Sequence, residues 1–263
     1  MKAVFVVTGA SRGFGRHLAA QLIDSGLFNK ASGKVDILLC ARDIVKLEET
    51  RAIIIGKLKM LSSKSNCTVH TVAVDFGCDN QDKLMDFIFS HTTGEYTHAY
   101  LFNNAGTLGS LQFTKNLTYQ DIKSSTQINL VSPMLLTARF LKQFSGCIKT
   151  VIVNVSSLAA IQPFATWGMY CATKAARDIA HRTIALEEPN VRVLNYAPGP
   201  IDTEMMTRVR EEMPDFGVKQ VYLDMHAENK LVNPEDSAKE LFKVMDADEY
   251  ENGAHIDYYD LVK

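Results

Sequence analysis

Residues 3–15 read AVFVVTGASRGFG, and the fold turns on how they are parsed. Val4–Val7 is a continuous apolar run rich in β-branched side chains, the pattern of a strand buried on both faces of a parallel sheet. Gly9, Gly13 and Gly15 then let the backbone turn tightly into a helix expected over Gly15–Asp24. A glycine turn between a buried strand and a helix N-terminus presents bare amides and the positive end of the helix dipole to one point, which suits a pyrophosphate. The spacing is TGxxxGxG, with Ser11, Arg12 and Phe14 between the glycines. Such a turn is common by itself; its place at the head of a strand–helix series gives it weight.

That series runs outward along the chain. Apolar runs recur at Val35–Cys40, Thr68–Val74, Ala99–Phe102, Thr150–Val155 and Val191–Asn195. Between them, helical spacing appears at Ile44–Leu61, Gln81–Phe89, Thr118–Phe144 and Tyr170–Glu187. The alternation implies right-handed crossovers and one doubly wound α/β domain of Rossmann type over residues 1–263, its sheet mostly parallel and of about seven strands. No repeat or linker divides it. The segment Glu204–Lys230 is charged, Met-rich and without clear periodicity. Ligands of such folds bind at the carboxyl ends of the strands, so this segment is either a lid or an ordinary surface excursion.

Composition narrows the function classes. Apolar residues are 46% and charged residues 22% of the 263, and the net charge is −2. That balance suits a soluble protein with a sizeable core and gives no electrostatic reason to expect nucleic acid or an anionic membrane. The opening apolar run is too short for a signal peptide or a membrane span, so the expectation is a soluble, cytoplasmic chain. Cys40, Cys67, Cys78, Cys147 and Cys171 are odd in number and scattered, as reduced thiols are. His70, His91, His98 and His181 do not gather at metal spacing; no metal is expected, and these histidines read as surface or satisfied positions.

The second strand ends at Cys40-Ala41-Arg42. An acid there would serve the ribose of a cofactor lacking a 2′-phosphate; Ala41 cannot, whereas Arg42 offers a charged fork for phosphate. Arg12 is a second candidate cation. Asp43 could instead meet a ribose, and Arg42 could be a solvated surface residue. The charge argument favours NADP(H). Asp75 and Phe76, after the third strand, are placed either to meet the adenine or to form a plain turn.

The fifth strand ends at Asn154-Val155-Ser156-Ser157, and Tyr170 and Lys174 follow on a helix. Positions i and i+4 share a helical face, so phenol and ammonium lie one turn apart. A free tyrosine titrates near ~10, and a neighbouring cation is expected to lower that value towards useful acid/base chemistry. Ser157 can hydrogen-bond a substrate carbonyl and steady its oxygen.

With Asn103-Asn104-Ala105-Gly106 at the fourth strand and Pro198-Gly199-Pro200 after the sixth, the chain resembles the short-chain dehydrogenase/reductase family from the glycine turn to about residue 205. The resemblance implies that Asn104 and Gly106 stabilise the central sheet beside the cofactor, and that Asn103, Ala105 and Gly106 bind the cofactor. It also implies that Asn129 positions a water near Lys174 and that Lys174 holds the nicotinamide ribose. Pro198, Gly199, Ile201 and Thr203 would contact the nicotinamide side, and family spacing selects Ser157 over Ser156.

Further stretches, including Gln162-Pro163-Phe164, Lys174–Asp178, Ala185–Pro200 and Gly253–Asp260, are similar to a branch of the family that reduces the C6 side-chain carbonyls of a pterin with NADPH in tetrahydrobiopterin synthesis. There Asp257 corresponds to a pterin anchor, since a carboxylate can accept two parallel hydrogen bonds from an amino-pyrimidine edge. Ser157, Tyr170, Cys171 and Gly199 would line the substrate slot with Trp167, which core packing explains equally well. The branch also implies a homodimer, packed through the helices at Thr118–Phe144 and Tyr170–Glu187. Two rivals differ from this reading: a broad carbonyl or dicarbonyl reductase, for which Asp257 has no use, and a non-catalytic NADP(H)-binding redox sensor, in which Tyr170 or Lys174 would be dispensable.

Overall fold

A computed structural model describes residues 1–61, 66–92, 94–214 and 216–262. Seven strands form one parallel sheet: β1 (Ala3–Thr8), β2 (Val35–Ala41), β3 (Cys67–Ala73), β4 (His98–Asn103), β5 (Lys149–Val155), β6 (Val191–Ala197) and β7 (His255–Asp257). Their order across the sheet is β3-β2-β1-β4-β5-β6-β7, so the chain reverses direction of travel at β1 and opens a crevice between β1 and β4.

Strand alternation divides the core in two. Ala3, Phe5 and Val7 of β1 face one layer, built with the helices Gly13–Gln21, Ile44–Met60 and Pro234–Ala247; Val4 and Val6 face the other, built with Gln81–Phe89, Ser132–Phe144 and Gly168–Glu187. All six residues of β1 are buried, which is why that stretch reads as unbroken apolar sequence. Phe5 stacks on Tyr100 of the neighbouring β4 at 4.7 Å.

Several elements differ from expectation. The first helix begins at Gly13, two residues early, and ends as a 3₁₀ turn over Leu22–Asp24. The single helix expected over Thr118–Phe144 is capped by Thr118 in a capping box with Asp121, and a π turn at Gln127–Val131 interrupts it. Such single turns cluster at functional sites, and this one carries Asn129. The segment Glu204–Lys230 forms two helices, Glu204–Glu212 and Phe216–Ala227; Asp215 between them lies outside the described residues. Met206, Val209 and Met213, spaced three and four apart, bury one face of the first and its exit. β7 and the helix Pro234–Ala247 were not among the expected elements. β7 has three residues and no apolar run, whereas the helix carries its signals openly: Asn233 caps it, with Pro234, Glu235 and Asp236 in its first turn.

Among the described residues no helix is long and apolar enough to cross a membrane, and no three metal-ligating side chains gather at one place. None of the five cysteines forms a disulfide.

Candidate active site

The crevice begins at the glycine turn. Gly9 and Gly13 take φ of +67° and +53°, in the left-handed region where a Cβ is strained. Gly15 must be glycine for a different reason: a Cβ there would lie 2.3 Å from the carbonyl oxygen of Gly9. The helix that follows has Arg12 as N-cap without a side-chain cap, and no acid in its first turn, so its amide end is open to an anion. Thr8 Oγ1 accepts from the backbone amides of Asn104 and Ala105, each at 2.9 Å, and Asn104 Nδ2 donates to Thr8 O at 2.8 Å. The β4 motif is thereby pinned to the end of β1. Thr203 lies over the same turn, its Cγ2 3.4 Å from where a Gly13 Cβ would stand. Pro198 O accepts from Ser237 Oγ, Gly199 has φ +78°, and Ile201 bridges to Val232, which together hold the β6 exit in place.

At the end of β2, Arg42 is exposed and has no ion-pair or hydrogen-bond partner among the described residues. Asp43 is committed to its helix: its Oδ1 accepts from Lys46 N at 3.0 Å as the N-cap. Arg12 departs from expectation, because its guanidinium pairs with Glu204, which Lys46 also approaches at 3.8 Å. Asp75 closes a turn onto Gly77 N at 2.9 Å, and Phe76 is buried with its carbonyl held by Ser132 Oγ.

The chemical end lies at the carboxyl end of β5. Ser156 points inward, its Oγ donating to Asp178, while Ser157 accepts from Ala159 N at 3.1 Å and its hydroxyl acts on the Tyr170 phenol. Ser156 is thus committed to a buried carboxylate, and Ser157 is not. Tyr170 is 7% and Lys174 4% exposed. Lys174 Nζ lies 5.5 Å from the centre of the Tyr170 ring and donates to Val155 O at 2.7 Å. Asn129 is fully buried; its Oδ1 accepts from Thr107 N at 2.8 Å and its Nδ2 donates to Thr107 O and to Thr173 Oγ1. Its side chain therefore meets the residue before Lys174, not the lysine.

Electrostatics corrects one expectation. Burial pushes the Tyr170 phenol up, opposed by the Ser157 hydrogen bond and by the guanidinium of Arg177. Burial likewise holds Lys174 well below the ordinary lysine range, with Arg177 adding to the effect and Asp178 opposing it. Lys174 is not among the groups that act on the phenol, and burial prevails over the lowering by Ser157 and Arg177. Arg177, which sequence reasoning missed, is fully buried, its own value brought down to about 10 chiefly by that burial. It donates to Asn103 O at 2.6 Å. Its position seven residues after Tyr170 on a helix was the available signal.

Trp167 does two things at once. It is buried among Leu108, Leu111, Met206, Val209 and Met213, and it meets Tyr170 edge-on at 5.7 Å. Tyr222, from the second helix of the 204–230 segment, lies parallel to Trp167 at 5.9 Å, and burial pushes its phenol up to about 12. That segment thus packs on the cluster of Trp167 and Tyr170. Cys171 is half-buried beside it, its thiol raised by burial. Asp257 ends β7 in register with Ala197, next to the Pro198-Gly199 turn, and its Oδ1 accepts from Tyr259 N as cap of the helix Tyr258–Leu261. The residue expected as a pterin anchor is a helix cap, a role not expected from the sequence.

A parallel sheet in this order, a glycine cradle at β1 and a Ser–Tyr–Lys set at β5 define an oxidoreductase of one class, and the chain belongs to the short chain dehydrogenase family, whose model matches residues 3–214. It is 39% identical to a sepiapterin reductase of Rattus norvegicus over 98% of this chain and 97% of that one. The sepiapterin reductase of Xenopus tropicalis is 36% identical, with 97% and 95% covered. Among solved structures, that of the KRED1-Pglu enzyme superposes with a TM-score of 0.78 at 26% identity, covering 97% of this chain and 100% of that one.

Proposed function

We propose that this chain reduces the C6 side-chain carbonyls of a pterin, sepiapterin or 6-pyruvoyl-tetrahydropterin, with NADPH in tetrahydrobiopterin biosynthesis. The observation that carries the reading is the convergence of Ser157, Tyr170 and Lys174 under an aromatic-lined cover, with Asp257 at the carboxyl end of the adjoining edge strand. Likeness to sepiapterin reductases over nearly the whole length supports the substrate.

The residues present fit the cofactor. The open amide end at Gly13–Gly15, with Gly9, Ser11 and Phe14, suits a pyrophosphate, and unpaired Arg42 suits a 2′-phosphate. Asp75 and Phe76 would border the adenine; Asn103, Ala105, Gly106, Pro198, Gly199, Ile201 and Thr203 would border the nicotinamide end, with Lys174 on its ribose. Bound there, NADPH supplies a hydride to the carbonyl carbon.

The chain's own side chains manage the oxygen. Ser157 donates a hydrogen bond to the carbonyl oxygen, and Tyr170 gives its phenolic proton to that oxygen as the C–H bond forms, leaving an alcohol. The phenolate left behind is favoured by the cation of Arg177 and is reprotonated from solvent before the next turnover. Asn129 fixes the Thr107 loop against the helix that bears Tyr170 and Lys174.

The working form is proposed as a cytoplasmic homodimer. Exposed Tyr119, Ile122, Ile179 and Leu186 on the two candidate interface helices support association, and five cysteines without a disulfide suit a reducing compartment. NADPH oxidation with sepiapterin and with a small diketone tests the substrate. Asp257→Ala should lose the pterin and keep the diketone; an equal effect on both reduces the reading to a general carbonyl reductase.

A further inference from the structure

β7 is a weak element with an exacting position. It is three residues long, lies at the sheet edge and pairs only with β6. A strand this short has little ladder to fix it. Yet its last residue is Asp257, so any slip of β7 moves that carboxylate relative to Tyr170.

A single buried carboxylate ties this strand to the catalytic helix. Asp178 is 6% exposed and sits one helical turn after Lys174 and two after Tyr170. Its Oδ1 accepts from Asn154 Nδ2 at 2.9 Å and from Ser156 Oγ at 2.5 Å, at the end of β5 just before Ser157. Its Oδ2 meets His255 Nδ1 of β7 at 2.5 Å. A carboxylate oxygen only accepts, so Nδ1 carries the proton of that bond. The other ring nitrogen, Nε2, is buried and has no partner among the described residues, which leaves Asp178 as the one polar tie among them that orients the ring. Side chains two apart in a strand share a face. Because His255 faces the catalytic helix, Asp257 projects from β7 on that same side.

We infer that Asp178 and His255 are a positioning pair that sets the depth of β7, and so the reach of Asp257, against the helix bearing Tyr170 and Lys174. The inference rests on Asp257 as substrate anchor. Asn195 gives the edge a second tie, donating through Nδ2 to Gly253 O at 3.1 Å and through its amide to Ala254 O at 2.9 Å. Those bonds hold the approach to the strand but leave the side-chain face of β7 to the histidine.

The test compares His255→Ala, His255→Asn and Asp257→Ala with sepiapterin and with 2,3-butanedione, recording KM, kcat and melting temperature. His255→Ala should raise KM for sepiapterin about tenfold, with kcat and the diketone constants within about twofold. His255→Asn, whose side-chain amide can donate to Asp178 from nearly the same place, should recover most of the KM. If Asp257→Ala raises the sepiapterin KM and His255→Ala does not, the positioning pair is refuted and the anchor survives. If His255→Ala depresses kcat on both substrates with its melting temperature, and asparagine does no better, the pair only stabilises the fold and the inference is overturned. If Asp257→Ala itself leaves the sepiapterin KM unchanged, the anchor is wrong and the inference falls with it.

Discussion

Lys174 and Tyr170 share one helical face, but the lysine directs its hydrogen bond to the carbonyl of Val155 and lies 5.5 Å from the centre of the tyrosine ring. The ammonium is tethered to the strand end that leads into Ser157. Tyr170→Phe removes the proton donor and leaves the edge-on packing against Trp167 in place. Turnover should fall by about 10²–10⁴-fold, with NADPH affinity by fluorescence titration within about threefold of wild type. Near-normal turnover would show that another group protonates the oxygen.

Arg42 and Asp43 are adjacent and separable. Arg42→Ala should weaken NADPH binding by roughly ten- to a hundredfold and leave NADH little changed, since only the former carries a 2′-phosphate. Asp43→Ala should cost about 1 kcal/mol of stability by removing the cap on Lys46 N, with no change in cofactor preference. Titration with both cofactors and urea melts separate the two effects; a shift of preference in Asp43→Ala would assign it to the ribose.

Trp167 is the chain's one tryptophan, so its emission reports the slot directly. Tyr222→Ala removes the ring that lies parallel to it and admits water. The emission maximum should move to the red, while Tyr222→Phe stays at the wild-type wavelength. An unshifted Tyr222→Ala spectrum would mean that the 216–227 helix does not cover the tryptophan in solution.

His181 is fully buried, its Nδ1 on the carbonyl of Arg177, and burial brings its pKa down to about 4. The unfolded chain, with the ordinary value near ~6.5, binds this proton first as pH falls. Stability from this group is therefore complete above pH ~6.5 and is lost between there and pH ~4. Between pH 7 and 5 the loss should be about 2 kcal/mol, absent from His181→Gln. Urea melts of both proteins at the two pH values check it; parallel losses would show that His181 does not titrate in this window.

The sheet was legible because its strands are buried on both faces and so write unbroken apolar runs; β7, whose one apolar residue is Ile256 between His255 and Asp257, wrote none. Motif spacing located Ser157, Tyr170 and Lys174 because strand end and helix are rigid elements whose offsets survive translation into sequence. The partners of these residues did not show. Arg177, Asp178 and His255 act through bonds to carbonyls and side chains far along the chain, and no local pattern records that. The helices of the 204–230 segment did not show because the buried positions of the first are methionines and a valine among charges, too sparse a stripe to read from sequence.

The distance along the chain between Asp178 and His255, 77 positions, also bears on how the protein comes into being. During synthesis, Ser157, Tyr170 and Lys174 leave the ribosome well before the strand that the histidine docks. A site joined by contacts so remote, like the bond from Gly26 N to Asp246 across 220 positions, closes late and is slow to fold. Partly made chains should hold the reacting groups yet remain unable to orient a pterin, so competence arrives together with completion of the sheet.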